Sequence, residues 1–125
     1  MRLVLSLSFI VVMCMAIHAH KPQIPTEPTN VICTYSPAFG DVTTVRAAWS
    51  DPKKWNDSGN AAGRSFLATC RSAEDGVFYS QIVSATTYLV QFEVPAVNRR
   101  YTFTVYATND AGNTGHGGSY VVSVP

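Results

Sequence analysis

Residues 101–107 read YTFTVYA, with Tyr101, Phe103, Val105 and Ala107 at every second position and mostly polar residues between them. A period of two places alternate side chains on opposite faces of an extended strand. The same period recurs along the chain. Val31, Cys33 and Tyr35 share a face in NVICTY, and Val45, Ala47 and Trp49 share one in VTTVRAAW. SFLATCRSA presents Phe66, Ala68 and Cys70, and TTYLVQFEV presents Tyr88, Val90, Phe92 and Val94. VFYSQIV and the terminal SYVVSVP complete the set. No segment in this region carries a 3.6-residue apolar period. Each run ends in Gly, Pro, Asn or Asp, as in PAFGD, EDG, PAVNR and NDAGNTGHGG. Strands with one buried face at such short intervals predict an all-β chain of about seven strands, folded as two antiparallel sheets packed face to face.

The first 19 residues follow a different rule. Arg2 precedes an apolar run from Leu3 to Ile17, and small residues stand at Ala16 and Ala19. This is the layout of a secretory signal peptide, cleaved after Ala19 or Ala16. The run is short for a transmembrane helix, which needs about 20 apolar residues. If left uncleaved, it would make the protein a membrane-tethered module. Residues 20–27 form a Pro-rich, extended lead-in, and the expected folded domain spans 28–125. The net charge of +1 and the lack of a basic run disfavour nucleic acid as a partner. No second apolar segment follows, so stable membrane insertion is not expected after signal cleavage.

Cys14 falls within the signal, leaving Cys33 and Cys70 in the mature chain. An even pair bound for an oxidising compartment predicts a Cys33–Cys70 disulfide joining the two sheets through the core.

The order of these features resembles the fibronectin type III domain over roughly residues 26–125. The resemblance is carried by Tyr101, Phe103, Val105, Ala107, Asn109 and Gly112 in the sixth strand and the loop after it. Further matches are VRAAWSDP, with Trp49 and Pro52, the Pro-rich entry PTEPTNVIC, and the closing VVSVP. It implies an immunoglobulin-like sandwich with Trp49, Tyr101, Phe103 and Val105 in the core. Tyr101 would bond backbone through its hydroxyl in a tyrosine corner. Asn109 would turn the chain by bonding nearby backbone, and Gly112 would take a positive φ. The chain departs from the family pattern at Val94-Pro95, where a Leu-x-Pro spacing is usual, and at Phe66, where Tyr is usual. It contains neither Arg-Gly-Asp nor Trp-Ser-x-Trp-Ser.

Loops carry function in such folds because the strands are committed to the core. SDPKKWNDSGNAAGR offers Lys53, Lys54 and Trp55 as binding candidates, and NDAGNTGHGGS offers Asn113 and His116. The family topology places both loops at one end. Trp55 is either an exposed anchor or a lid folded over the core rim. Asn56, in Asn-Asp-Ser, fits the N-glycosylation rule. The expected function is a secreted, non-catalytic binding module whose partner is an extracellular protein, a glycan or a matrix polymer. No cofactor is implied. The alternative is an extracellular copper site or enzyme, using His20 as the mature N-terminus together with His116. The acidic residues lack the spacing of a calcium loop.

Overall fold

A computed structural model of the protein describes residues 23–125. The signal-like segment and His20 lie outside the described residues. Seven strands follow one another: β1 Thr29–Tyr35, β2 Val42–Ser50, β3 Ser65–Ser72, β4 Phe78–Ser84, β5 Leu89–Pro95, β6 Arg99–Thr108 and β7 Gly118–Val124. A single 3₁₀ turn, Ala61–Gly63, interrupts the loop between β2 and β3. One sheet has the order β1-β2-β5 and the other β4-β3-β6-β7, with every pairing antiparallel. Among the described residues no helix is long and apolar enough to cross a membrane.

The alternation sorts the side chains as period two requires. Val45, Ala47 and Trp49 from β2, Phe66, Ala68 and Cys70 from β3, Val90, Phe92 and Val94 from β5, and Tyr101, Phe103, Val105 and Ala107 from β6 are all buried in one core. Burying a large apolar side chain of this kind contributes about 1.5–3 kcal/mol. Trp49 organises the centre. Its ring stacks on Phe103 at 6.0 Å between centroids and meets Phe66 edge-on at 5.4 Å. Tyr88 stands just before β5. Its ring packs on Phe66, and its hydroxyl donates to Asp51 at 2.9 Å.

Turn chemistry closes the hairpins. Gly76, in Glu-Asp-Gly, has φ +72, and Asp75 accepts from the Val77 N–H at 3.0 Å. Gly112 has φ +83, in the left-handed region that favours glycine.

Two expectations are corrected. The Cys33–Cys70 disulfide is not formed, and both are free, buried thiols. Cys33 sits opposite Ala47 on β1, and Cys70 lies between Tyr79 and Phe103 on β3. Both thiols pack as small apolar groups. Burial pushes Cys33 up to about 11 and Cys70 up to about 12, and the charge of a Cys33 thiolate would add to the second shift. A thiol held neutral in this way is a poor partner for exchange or oxidation.

The tyrosine corner also differs. The Tyr101 ring is buried, but its hydroxyl makes no hydrogen bond among the described residues. Glu74 fastens this corner instead, since its carboxylate accepts from the Arg100 N–H at 3.0 Å and Arg100 O accepts from the Ala73 N–H at 2.9 Å. Arg99 pairs with Asp75 beside it.

Candidate binding surface

The loop after β2 (residues 51–64), the loop after β6 (109–117) and the lead-in (23–28) meet at one end of the sandwich. Asn109 joins them. Its side chain is fully buried, and its Oδ1 accepts from the N–H groups of Ala111 and Asn113, both at 3.1 Å. That is the local turn bonding expected of the residue. Its Nδ2 also points toward Gln23 O at 3.0 Å, Trp55 O at 3.3 Å and Asn56 O at 3.5 Å. One amide therefore holds three separate stretches of chain.

Ion pairing adds a second tie. Arg64 donates twice to the Asp57 carboxylate, at 2.8 and 2.6 Å, in the forked geometry that suits guanidinium and carboxylate. The Asp57 side chain is only 1% exposed. Its Oδ2 also accepts from the Asp110 N–H at 3.1 Å. Asp110 in turn accepts from the Asn60 N–H at 2.9 Å and from the Ser58 hydroxyl. The Arg64 hydrogen bond, followed by backbone N–H groups, holds the Asp57 carboxyl well below the usual carboxylate range. Ser58 and Asn60 shift Asp110 the same way.

The lead-in is strapped to this end along its length. Thr26 N–H donates to Lys54 O at 2.9 Å, and Lys54 N–H donates to Thr26 Oγ1 at 3.0 Å. Asn56 Nδ2 donates to Ile24 O at 2.8 Å, and Asn113 Nδ2 to Gln23 O at 3.0 Å. Pro25 and Pro28 are buried. A Cβ on Gly115 would collide with the Pro25 carbonyl, so this glycine allows the close approach.

The structure separates the sequence candidates. Lys53, Lys54 and His116 are exposed on the loop end. Asn113 is half-buried and tied to Gln23. Trp55 folds over the rim, its ring 5.5 Å from Phe66 with the Arg64 guanidinium 4.8 Å above it. Asn56 is exposed with φ +54. His116 has no neighbouring metal-binding cluster among the described residues, and its proposed companion His20 lies outside them.

Two exposed features lie outside the loops to which the sequence points. The outer face of the four-stranded sheet holds an open depression of about 390 Å³, lined by Leu67, Thr69, Arg71, Phe78, Thr104 and Tyr106 among others. Arg71 caps the Phe78 ring at 4.9 Å. At the far end, Phe39 is 92% exposed on the turn between β1 and β2. The outward positions of β3 and β6 could have suggested the first, but only register shows which of them are neighbours.

Solved structures share the fold of this chain. The chain superposes on a fibronectin type III domain of human collagen XX with a TM-score of 0.58 and 16% identity, covering 84% of this chain and 99% of that one. The chain has the fibronectin type III fold. The fifth such domain of Drosophila Lar matches with a TM-score of 0.51 and 17% identity, over 82% of this chain and 98% of that one. Domains d3–d4 of the rat CD45 extracellular region match with a TM-score of 0.59 and 16% identity, over 83% of this chain and 52% of that one. The sequence matches no protein-family model and no curated protein. Within the fibronectin type III frame, the residues that carry the fold are Trp49 and the inward positions of β6. Of the residues that make the polar ties at the loop end, Asn109 belongs to the sequence pattern quoted above, whereas Asp57, Arg64 and Asp110 lie outside it.

Proposed function

We propose that the protein is a secreted, non-catalytic interaction module that presents the loop end of its sandwich to an extracellular protein, glycan or matrix polymer. The observation that carries this reading is the locking of three chain segments around Asn109 and Asp57, with Lys53, Lys54 and His116 left facing solvent. Rigid display lowers the ordering cost of binding. Asp57, Arg64 and Asp110 already serve one another, so their charges act as structure. A glycan on Asn56 fits the same reading. Its amide donates to Ile24 and the Ser58 hydroxyl to Asp110, so the sugar would be attached before this loop closes.

The test is retention of the secreted chain on immobilised extracellular matrix from the source tissue. Lys53→Glu/Lys54→Glu should remove binding while leaving the far-UV spectrum unchanged. Unchanged retention of this variant, together with loss of binding in Arg71→Glu, would move the site to the sheet face and overturn the proposal.

A further inference from the structure

Two open sheets leave four edge strands: β1, β5, β4 and β7. An edge strand exposes unpaired N–H and C=O groups, and proteins usually blunt it with charge, proline, a bulge or a cover. Three of these edges are treated in that way. β1 carries an irregularity between Thr29 and Ile32, with Asn30 at φ +52. β7 lies against β1 and the lead-in, since a Cβ on Gly118 would run into Pro28 O and Val31. β5 carries Glu93 and ends at Pro95, and its Gln91 carbonyl is capped by Gln81 Nε2 at 2.8 Å.

Among the described residues, β4 has none of these devices. Its seven residues, FYSQIVS, contain no charge and no proline, and they pair with β3 in one unbroken register. The Ser72 N–H donates to Val77 O at 2.9 Å, which sets the phase of that ladder. Tyr79, Gln81 and Val83 therefore bond inward to β3. Phe78, Ser80 and Ile82 turn their backbone groups outward, as does the N–H of Ser84, whose carbonyl accepts from Thr87. The same edge carries Ile82, 78% exposed, and Phe78, 51% exposed.

We propose that β4 pairs antiparallel with β4 of a second copy of this chain, making one continuous eight-stranded sheet across a twofold axis at Gln81. The strand is complementary to itself in this register. Ser80 meets Ile82 of the other copy and Phe78 meets Ser84, each twice by symmetry. The outward backbone groups face one another, and no charge opposes its own image. The two Ile82 side chains become diagonal neighbours, roughly 7–8 Å apart, within reach of each other on the outer face. Gln81 faces its own copy in a non-hydrogen-bonded pair, where Cα atoms lie about 4.5 Å apart.

The purified protein is examined by sedimentation over a wide concentration range. The wild type should reach twice the chain mass. Ile82→Lys should raise the dimer dissociation constant roughly tenfold or more. At concentrations low enough for both proteins to be monomeric, that variant should keep the wild-type urea midpoint, because the side chain is exposed in the single chain. Ser80→Pro, which removes an outward N–H, should act in the same direction. Gln81→Cys should oxidise to a covalent dimer, since its Cα spacing suits a disulfide, while Tyr79→Cys, facing Val83, should not. The proposal is overturned by a wild type that stays monomeric throughout, by an Ile82→Lys dimer as tight as wild type, or by crosslinking at Tyr79→Cys in place of Gln81→Cys. It is equally overturned if the β4 amides become protected only in the presence of a different protein, which would assign the edge to another chain's strand.

Discussion

Asn109→Ala removes the amide that joins the lead-in and both loops. The wild-type Oδ1 accepts from Ala111 and Asn113. The two Nδ2 hydrogens can serve at most two of the three carbonyls around them, which belong to Gln23, Trp55 and Asn56. Four bonds are therefore lost, each worth about 0.5–1.5 kcal/mol net. Water can reach some of the freed groups, because Gln23 and Asn56 are exposed. The expected loss is about 2–4 kcal/mol, a large fraction of a small domain's stability. Urea unfolding should show a lower midpoint at constant slope. Asn109→Asp is the informative companion. It keeps the acceptor but turns an oxygen toward three carbonyls, so it should destabilise at least as much at neutral pH. The charged form is disfavoured there, so the carboxyl pKa rises in the folded state. Stability should be greatest at low pH, where the protonated carboxyl donates again, and fall as pH rises through that pKa. A loss below about 0.5 kcal/mol for Asn109→Ala would refute the assignment of this residue as the hub.

Trp49→Ala should cost roughly 3–5 kcal/mol in the same assay, as a large truncation in a packed core. Trp49→Phe should cost clearly less, because the buried indole N–H it deletes has no partner among the described residues. The Asp57 carboxyl is lowered chiefly by its Arg64 hydrogen bond. Its contribution is therefore complete above the unfolded carboxylate value near pH 4 and drains away as pH falls through the depressed folded value. An acid titration of wild type should show that loss, and Asp57→Asn should flatten it. Cys33 and Cys70 are raised by burial. Their contribution is complete below the unfolded thiol value and is lost as pH rises through about 9 to 12. Iodoacetamide should leave both untouched in the native protein and label both after unfolding without reductant. Failure of either to label would restore the disulfide.

Much of the fold was legible because period two is a local property. The runs of period two coincide with the seven observed strands to within a few residues, and the alternate positions Tyr101, Phe103, Val105 and Ala107 of β6 are the buried ones. Alternation misleads where a residue's surroundings come from elsewhere in the chain. Tyr88 belongs to the β5 pattern by spacing, yet it stands outside the strand and bonds Asp51 across the gap. Tyr35 continues the β1 alternation but is 41% exposed at the strand's end. Trp55 could be an anchor or a lid on sequence alone, and only the position of Phe66 and Arg64 decided for the lid.

The sequence by itself determined the strands, their inward faces and most of the turns, because alternation and glycine or proline placement act through neighbouring residues. The tertiary structure decided that Asn109 serves the distant Gln23 as well as its own turn. It also decided that the Asp57 carboxylate is met by the Asp110 N–H from the loop after β6, which belongs to the other sheet, and that β4 is the edge left bare among the described residues. These outcomes depend on which strands become neighbours and on what covers each edge. Both are set by the packing of two sheets around one core, which brings together residues that the sequence keeps far apart.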